Sequence, residues 1–428
     1  MESLDEMTAP DFDSYFRELA SSSHDDGHSV SNHTNSTHYG GHHGHGYYFE
    51  DTLLAPFALL LIGAILRHTT RDLPIPYTMQ LLLLGLILGL GAKKDLMWWG
   101  EAGESSLYES VYVLSRLDPH LMLHIFLPPL IFESAASLEW HLFDKAKTYI
   151  FVLACPGILV ATFMTSTVLT SLHRETVLSP VPGGCPAAAP TFWPGTASTL
   201  IGVILSATDP VAVVSLLKEL GVKPSLSTSI EGESLFNDGT ALVIFLIVVG
   251  LVDGEALELT WVDYLSKFLV MTVGGMIWGT VFGFVVVTWL GVIFNDAMSE
   301  ITITMSSAYL CFYVAERAMG VSGVIAVVCF GLYFGSTGRT RVSPEVAHFL
   351  EEFWELLAFF GNTLIFVIAG IVIGKDVEAD LLTAKNVGFL LLMYLACTVI
   401  RGLVSFKIIK FPLLAHFLRS FSPLTPTW

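Results

Sequence analysis

The sequence predicts an all-α polytopic membrane protein, and three observations carry that prediction. Of its 428 residues, 53% are hydrophobic and only 14% charged, whereas soluble domains carry about 25% charged residues. The mean hydropathy is +0.64. About eleven apolar runs approach the roughly 20 residues that a helix needs to cross a bilayer. In chain order they fall at 52–67, 77–92, 120–136, 148–172, 196–217, 226–250, 261–294, 301–318, 321–335, 351–374 and 386–409. The first two are short; the fifth is interrupted by Asp209 and Pro210, and the sixth opens on a cluster of acids.

Three regions follow. Residues 1–50 form an acidic, His-rich tail, 51–410 a transmembrane domain, and 411–428 a terminal tail. The net charge is −18, and nine acids against one Arg put −8 of it in the first 50 residues. That segment also holds seven of the fourteen His, amid Ser, Gly and Asp. Such a tract can bind metal or sense pH, but its composition reads first as a solvated, disordered tail without fixed ligand geometry. Asn32 and Asn35 each begin a glycosylation sequon, which matters only if the tail faces the lumen or exterior.

Orientation follows from the basic residues, because cytoplasmic loops are enriched in Lys and Arg. With the N-terminus outside, the inside loops receive eleven and the outside regions eight. The expectation is therefore an extracellular N-terminus and a cytoplasmic C-terminus. Of the five Cys, only Cys185 lies in a loop, so they read as small packing residues rather than a disulfide framework. No signal peptide of the usual form precedes the first span, which must then direct insertion itself. There is no nucleotide-phosphate loop, zinc signature or nucleophile elbow, so neither an enzyme nor a cofactor is expected. No nucleic-acid partner is expected either.

The chemistry concentrates in runs five and six. A charged side chain at the bilayer centre costs at least about 2.5–3.5 kcal/mol, so one found there faces a wet path or a partner. Asp209 is such a residue in "ILSATDPVAVV", and Pro210 loosens the helix beside it. Thr208 and Asp209 then read as an unwound stretch with oxygens available to a cation; alternatively, Asp209 merely caps the helix that restarts. The next run, "IEGESLFNDGTALVIF", adds Glu231, Glu233, Ser234, Asn237 and Asp238. Glu233 and Asn237 share a helical face, while Asp238 lies about 140° around from Glu233. Two carboxylates with a hydroxyl and an amide form a hard-oxygen site suited to sodium or lithium. Low dielectric and a neighbouring like charge raise a carboxylate's proton affinity, so protonation competes with cation binding. That competition is the chemistry of an antiporter, whose site is expected between broken helices near the midplane.

The stretches "FLPPLIFESA", "SATDPVAVV" and "GESLFNDG", in that order, resemble the monovalent cation:proton antiporters of the sodium/proton exchanger type. "TVIRGLV" places Arg401 where that family has an arginine inside a span, and the resemblance covers about residues 50–410. With "DLPIPY", "LEEFWELLAF" and the Asn237–Asp238 pair, the likeness is greatest to sperm-type exchangers, then to plant plasma-membrane salt-tolerance exchangers. The resemblance implies an inverted-repeat antiporter fold with broken crossing helices and a homodimer in the cell membrane, with the sperm flagellar membrane as one setting. It implies Na⁺ (or Li⁺) and H⁺ as cargo, with Asp238 as carrier and Asp209, Thr208 and Ser234 as oxygen donors. Asn237, before the carrier, is the family's mark of electroneutral one-for-one exchange, here Na⁺ inward for H⁺ outward, raising intracellular pH. Glu233 would pair with Arg401 and Asn237; the other reading of Arg401 is a residue snorkelling to the interface. Glu133 reads as a packing acid rather than a cavity-lining one. Glu316, Arg317, Arg339 and Arg341 read as solvated or headgroup-level charges. Asn362, in "GNTLIF", replaces an acid found in many animal exchangers, so their inhibitor and pH-sensor behaviour does not carry over.

Counted from the motifs, the eleven runs leave the family core two spans short at the C-terminal end. The expectation is then either an antiporter that needs further segments or a partner, or a non-transporting membrane subunit that dimerises with and modulates a complete exchanger.

Overall fold

The computed structural model describes residues 49–70, 75–91, 106–177, 195–208, 210, 213, 214, 217, 220–252, 261–293, 296–376 and 384–410. The His-rich tail with Asn32 and Asn35, Asp209, Cys185 and residues 411–428 lie outside the described residues. Within them every regular element is helical. A chain so apolar can satisfy its backbone in lipid only within helices or a closed barrel.

The helices, in order, are α1 (Phe49–Thr69), α2 (Tyr77–Gly91), the short α3 (Ser106–Leu114) and α4 (Pro119–Ser137). α5 (Trp140–Val152) runs through a π-turn (Leu153–Gly157) into α6 (Ile158–Val177), and α7 (Gly195–Ser206) and α8 (Pro224–Val252) follow. The second half comprises α9 (Trp261–Leu290), α10 (Ala297–Arg317), α11 (Gly323–Thr337), α12 (Pro344–Asp376) and α13 (Ala384–Lys410). Among the described residues, five stretches are long and apolar enough to cross a membrane: Trp140–Leu172, Pro224–Leu251, Val262–Leu290, Pro344–Lys375 and Asn386–Ser405. Large apolar side chains such as Leu269, Ile277, Val281 and Val285 stand exposed along α9, on the side a bilayer would cover.

Two helices begin well before their apolar runs. α5 starts at Trp140 rather than 148, and α12 at Pro344 rather than 351. Charged residues do not stop a helix that has left the hydrocarbon, and α12 carries a start signal of its own. Pro344 occupies its first helical position, and the buried Glu300 carboxylate accepts hydrogen bonds from Ser343 N (3.1 Å) and Ser343 Oγ (2.6 Å). α3 was not expected; its nine residues are too few for a span.

The core lies where α4, α8, α10 and α11 meet, around Phe132, Phe236, Phe312 and Phe330, all at most 2% exposed. α2 and α12 approach each other backbone to backbone. Gly85 and Gly89 of α2 face Gly370 and Gly374 of α12, and a Cβ at Gly85 or Gly370 would run into the opposite backbone. Two small-xxx-small faces therefore meet, which lets the backbones approach without side chains between them. α7 packs chiefly against α6 and α8, and α8 against α5 and α7.

Candidate functional site

α7 stops at Ser206, and Ala207, Thr208 and Pro210 are not helical. A helix end leaves carbonyls without intrahelical donors, and in a membrane those oxygens must be answered from nearby protein or water. Two side chains answer them here. Ser234 Oγ on α8 donates to Thr208 O (3.2 Å), and Arg401 Nη1 on α13 approaches Ser206 O at 3.5 Å. Pro210 O accepts from Val214 N (2.8 Å), so helical pairing resumes beyond the break. Thr208 itself is exposed.

The guanidinium does a second job: Arg401 Nη2 lies 2.5 Å from Glu233 Oε1. One cation thus joins α13, the end of α7 and α8. Tyr149 of α5 lies within electrostatic reach of both members of the pair; sequence reasoning did not single it out, and nothing in "KTYIFV" distinguishes it from a packing tyrosine.

Further along α8, the helical phase separates the remaining site residues. Ser234 and Asn237 are buried with Glu233, and Asp238 is exposed. Asn237 does not join the Glu233–Arg401 pair, because Glu233 is drawn across to α13. Asn237 is 0% exposed, and neither its amide oxygen nor its amide nitrogen has a hydrogen-bond partner. A buried amide in that condition costs on the order of 1–3 kcal/mol, and native structures keep such groups for a reason. One turn on, Thr240 Oγ1 lies 3.6 Å from Cys155 Sγ in the π-turn. The Pro156–Gly157 dipeptide inside an apolar run was the available signal for that irregularity.

The structure therefore brings Thr208, Ser234, Glu233 and Arg401 together, and sets Asn237 and Asp238 on the next turn of α8. Among the described residues no group of three or more His, Cys, Asp or Glu side chains is placed to hold a metal ion. The oxygens gathered at the break and along α8 are carbonyl, hydroxyl and carboxylate oxygens, the donors that suit a hard cation.

Of the charges outside this site, Arg317, Arg339 and Arg341 are exposed, as the solvated reading expects, and Glu133 and Glu316 are half-buried. Glu133 is among the residues lining a cavity between the end of α4 and the start of α12. Arg339 also donates to Ala136 O (3.0 Å) and lies 3.8 Å from Glu351. Glu316 is not simply solvated: its carboxylate is 3.4 Å from His124 Nε2 of α4. Asn362 is half-buried on α12, beside Thr363, whose hydroxyl is 3.1 Å from the Tyr77 hydroxyl of α2.

The family model for the sodium/hydrogen exchanger transmembrane region matches residues 57–426. Sodium/hydrogen exchanger 7 of Arabidopsis thaliana is 36% identical over 373 residues, which cover 86% of this chain and 30% of that protein. The Na(+)/H(+) antiporter NhaH of Halobacillus aidingensis is 32% identical over 328 residues, covering 76% of this chain and 74% of that one. The chain spans less than half the length of the Arabidopsis exchangers it matches, 30% of one and 43% of another. The solved structure of the sodium proton antiporter MjNhaP1 from Methanocaldococcus jannaschii superposes with a TM-score of 0.62 at 17% identity. That match covers 87% of this chain and 81% of the other, and it shows a shared fold. With its helix break, its α8 acids and a family match running through nearly all of the described helices, the chain belongs to the sodium/hydrogen exchanger family.

Proposed function

We propose that this chain carries out sodium/proton antiport, taking Na⁺ inward and H⁺ outward, one for one, with Asp238 as the carrier. Asp209, Thr208 and Ser234 supply oxygens to the ion, directly or through water, and Asn237 stands where a second titratable group would otherwise be. Li⁺ fits the same donors. The reading extends to a homodimer in the cell membrane with the N-terminus outside, glycosylated at Asn32 and Asn35 and raising intracellular pH. The likeness to sperm-type exchangers belongs to it too, resting on "DLPIPY", "LEEFWELLAF" and Asn237–Asp238.

One observation supports it above the others. A helix break is propped by Ser234 and Arg401, while the following turn of α8 sets an exposed carboxylate, Asp238, beside a fully buried and unpartnered amide, Asn237. Protons and Na⁺ compete for one carboxylate of this kind, so the site empties one before it takes the other. The test is proton-coupled sodium flux in liposomes, with Asp238→Asn as the variant that keeps the shape and removes the titratable group. Flux should vanish; a residual rate above about a tenth of the starting one, equivalent to under 1.4 kcal/mol of effect, would remove Asp238 from the carrier role.

A further inference from the structure

Outside the ion site, the first turns of α4 are held from a neighbouring helix. Pro128 and Pro129 stand inside α4 and bring no N–H, so the carbonyls of His124 and Ile125, four residues earlier, lose their intrahelical donors. Residues 119–127 are therefore joined to the rest of α4 by a weakened ladder, and α10 supplies the fastening. Tyr309 Oη of α10 donates to Ile125 O (2.8 Å). The Phe312 ring meets the His124 imidazole edge to face, with centroids 5.4 Å apart, and the Glu316 carboxylate lies 3.4 Å from His124 Nε2. Tyr309, Phe312 and Glu316 follow at three- and four-residue spacing, so one stripe of α10 carries all three contacts.

Protons act on these contacts unequally. The Tyr309 bond is the same at any pH near neutrality, whereas an imidazole ordinarily changes charge near pH 6.5. With its ring charged, His124 forms an ion pair with Glu316 across two helices; with the ring neutral, only a dipole faces the carboxylate. Glu316 is also held from a third side. A Cβ on Gly323 would come within 2.9 Å of its Cγ and 3.0 Å of its Oε1, so the carboxylate rests on the first turn of α11, where that helix presents its positive end. The other titratable groups follow from the helices packed on α4. α10 adds Tyr313 and the exposed Arg317, and α8 carries Asp238 next to Gly239, which packs on Val324 and Ile325 of α11. α11 itself holds only Cys329 and Tyr333, both beyond its first turn. α12 turns Glu351 and Glu355 to the far end of α4, beside Glu133, and has no titratable residue from there to Lys375, which donates to Ser115 Oγ (3.1 Å). On and just before α4 stand Asp118 and His120.

We propose that His124 and Glu316 form a pH-operated latch, which fastens the first turns of α4 to α10 in acid and lets them swing about Pro128–Pro129 in alkali. Under the orientation proposed above, that end of α4 faces the exterior, so the latch answers to external protons. The fastening itself rests on the two side chains and not on that orientation or on the carrier role of Asp238.

The test places a nitroxide amino acid at Leu121, exposed in the first turn of α4, in the whole chain in nanodiscs, where both faces meet one buffer. Spin-label mobility is read at about pH 5.5 and about pH 8. The ratio of immobile to mobile label should be about threefold higher in acid, the size that a partly exposed ion pair gives. His124→Gln and Glu316→Gln should each remove that response. Tyr309→Phe should loosen the segment at both pH values and leave the response in place. His348→Gln is the control, because His348 pairs with Glu352 on the opening turns of α12 (3.5 Å). Asp238→Asn should also keep the response, which separates the latch from ion carriage; its loss there would assign the titration to Asp238 and overturn the proposal. A response that survives in His124→Gln, or a wild-type ratio that does not change with pH, would overturn it equally.

Discussion

Arg401 is the residue on which the site's geometry turns, since one guanidinium serves both the Ser206 carbonyl and the Glu233 carboxylate. The pair is partly buried, and removing one member strands the other, at a cost of up to about 3–5 kcal/mol. Arg401→Ala should accordingly lower the unfolding midpoint sharply, as should Glu233→Ala. The double variant should be less damaged than the sum, because the two losses are the same loss; additive shifts in a thermal-unfolding series would deny the coupling. Arg401→Lys should recover little, since an ammonium lacks the planar fork that reaches two acceptors. At this scale the sequence was readable where charge stands in an apolar run: Glu233, Asp238 and Arg401 announce themselves. Tyr149 and the orphaned state of Asn237 were not readable, because each depends on which face of a neighbouring helix is presented, and spacing along one chain does not encode that.

Between helices, the decisive feature is the pair of glycine faces on α2 and α12. Gly85→Val or Gly370→Val would force a branched side chain against backbone that cannot retreat and should abolish a monodisperse species in size-exclusion chromatography. Gly388→Ala, where an added Cβ meets nothing within 4 Å, should be neutral or slightly favourable, as Gly-to-Ala changes in exposed helix are. If both kinds of variant behaved alike, the close approach would have no energetic standing. Nearly all the helices were legible as apolar runs, since length and composition suffice to mark a span. Their starts were less so: α5 and α12 reach back through Lys145, Lys147 and Glu345, where hydropathy falls but helix persists. The "GLILGLG" and "AGIVIG" stretches carried the packing signal in plain view, but a small-xxx-small pattern names no partner until the helices are placed.

For the molecule as a whole, the proposed stoichiometry has an electrical consequence. One charge moved across 100 mV exchanges about 2.3 kcal/mol with the membrane potential. With a single carrier carboxylate trading Na⁺ for H⁺, no net charge crosses, and flux in valinomycin-clamped vesicles should be indifferent to the clamp. A reversal point that follows the imposed potential would instead require a second titrating group.

The α2–α12 contact also carries a consequence measured in time. Where backbones touch across glycines, water has no route to the amides, and opening the seam means separating two helices along their length. The amides around Gly85–Gly89 and Gly370–Gly374 should then be among the last of the described residues to take up deuterium. Those near Thr208, at the break, should be among the first. This seam marks where the slowest clock in the molecule should be found.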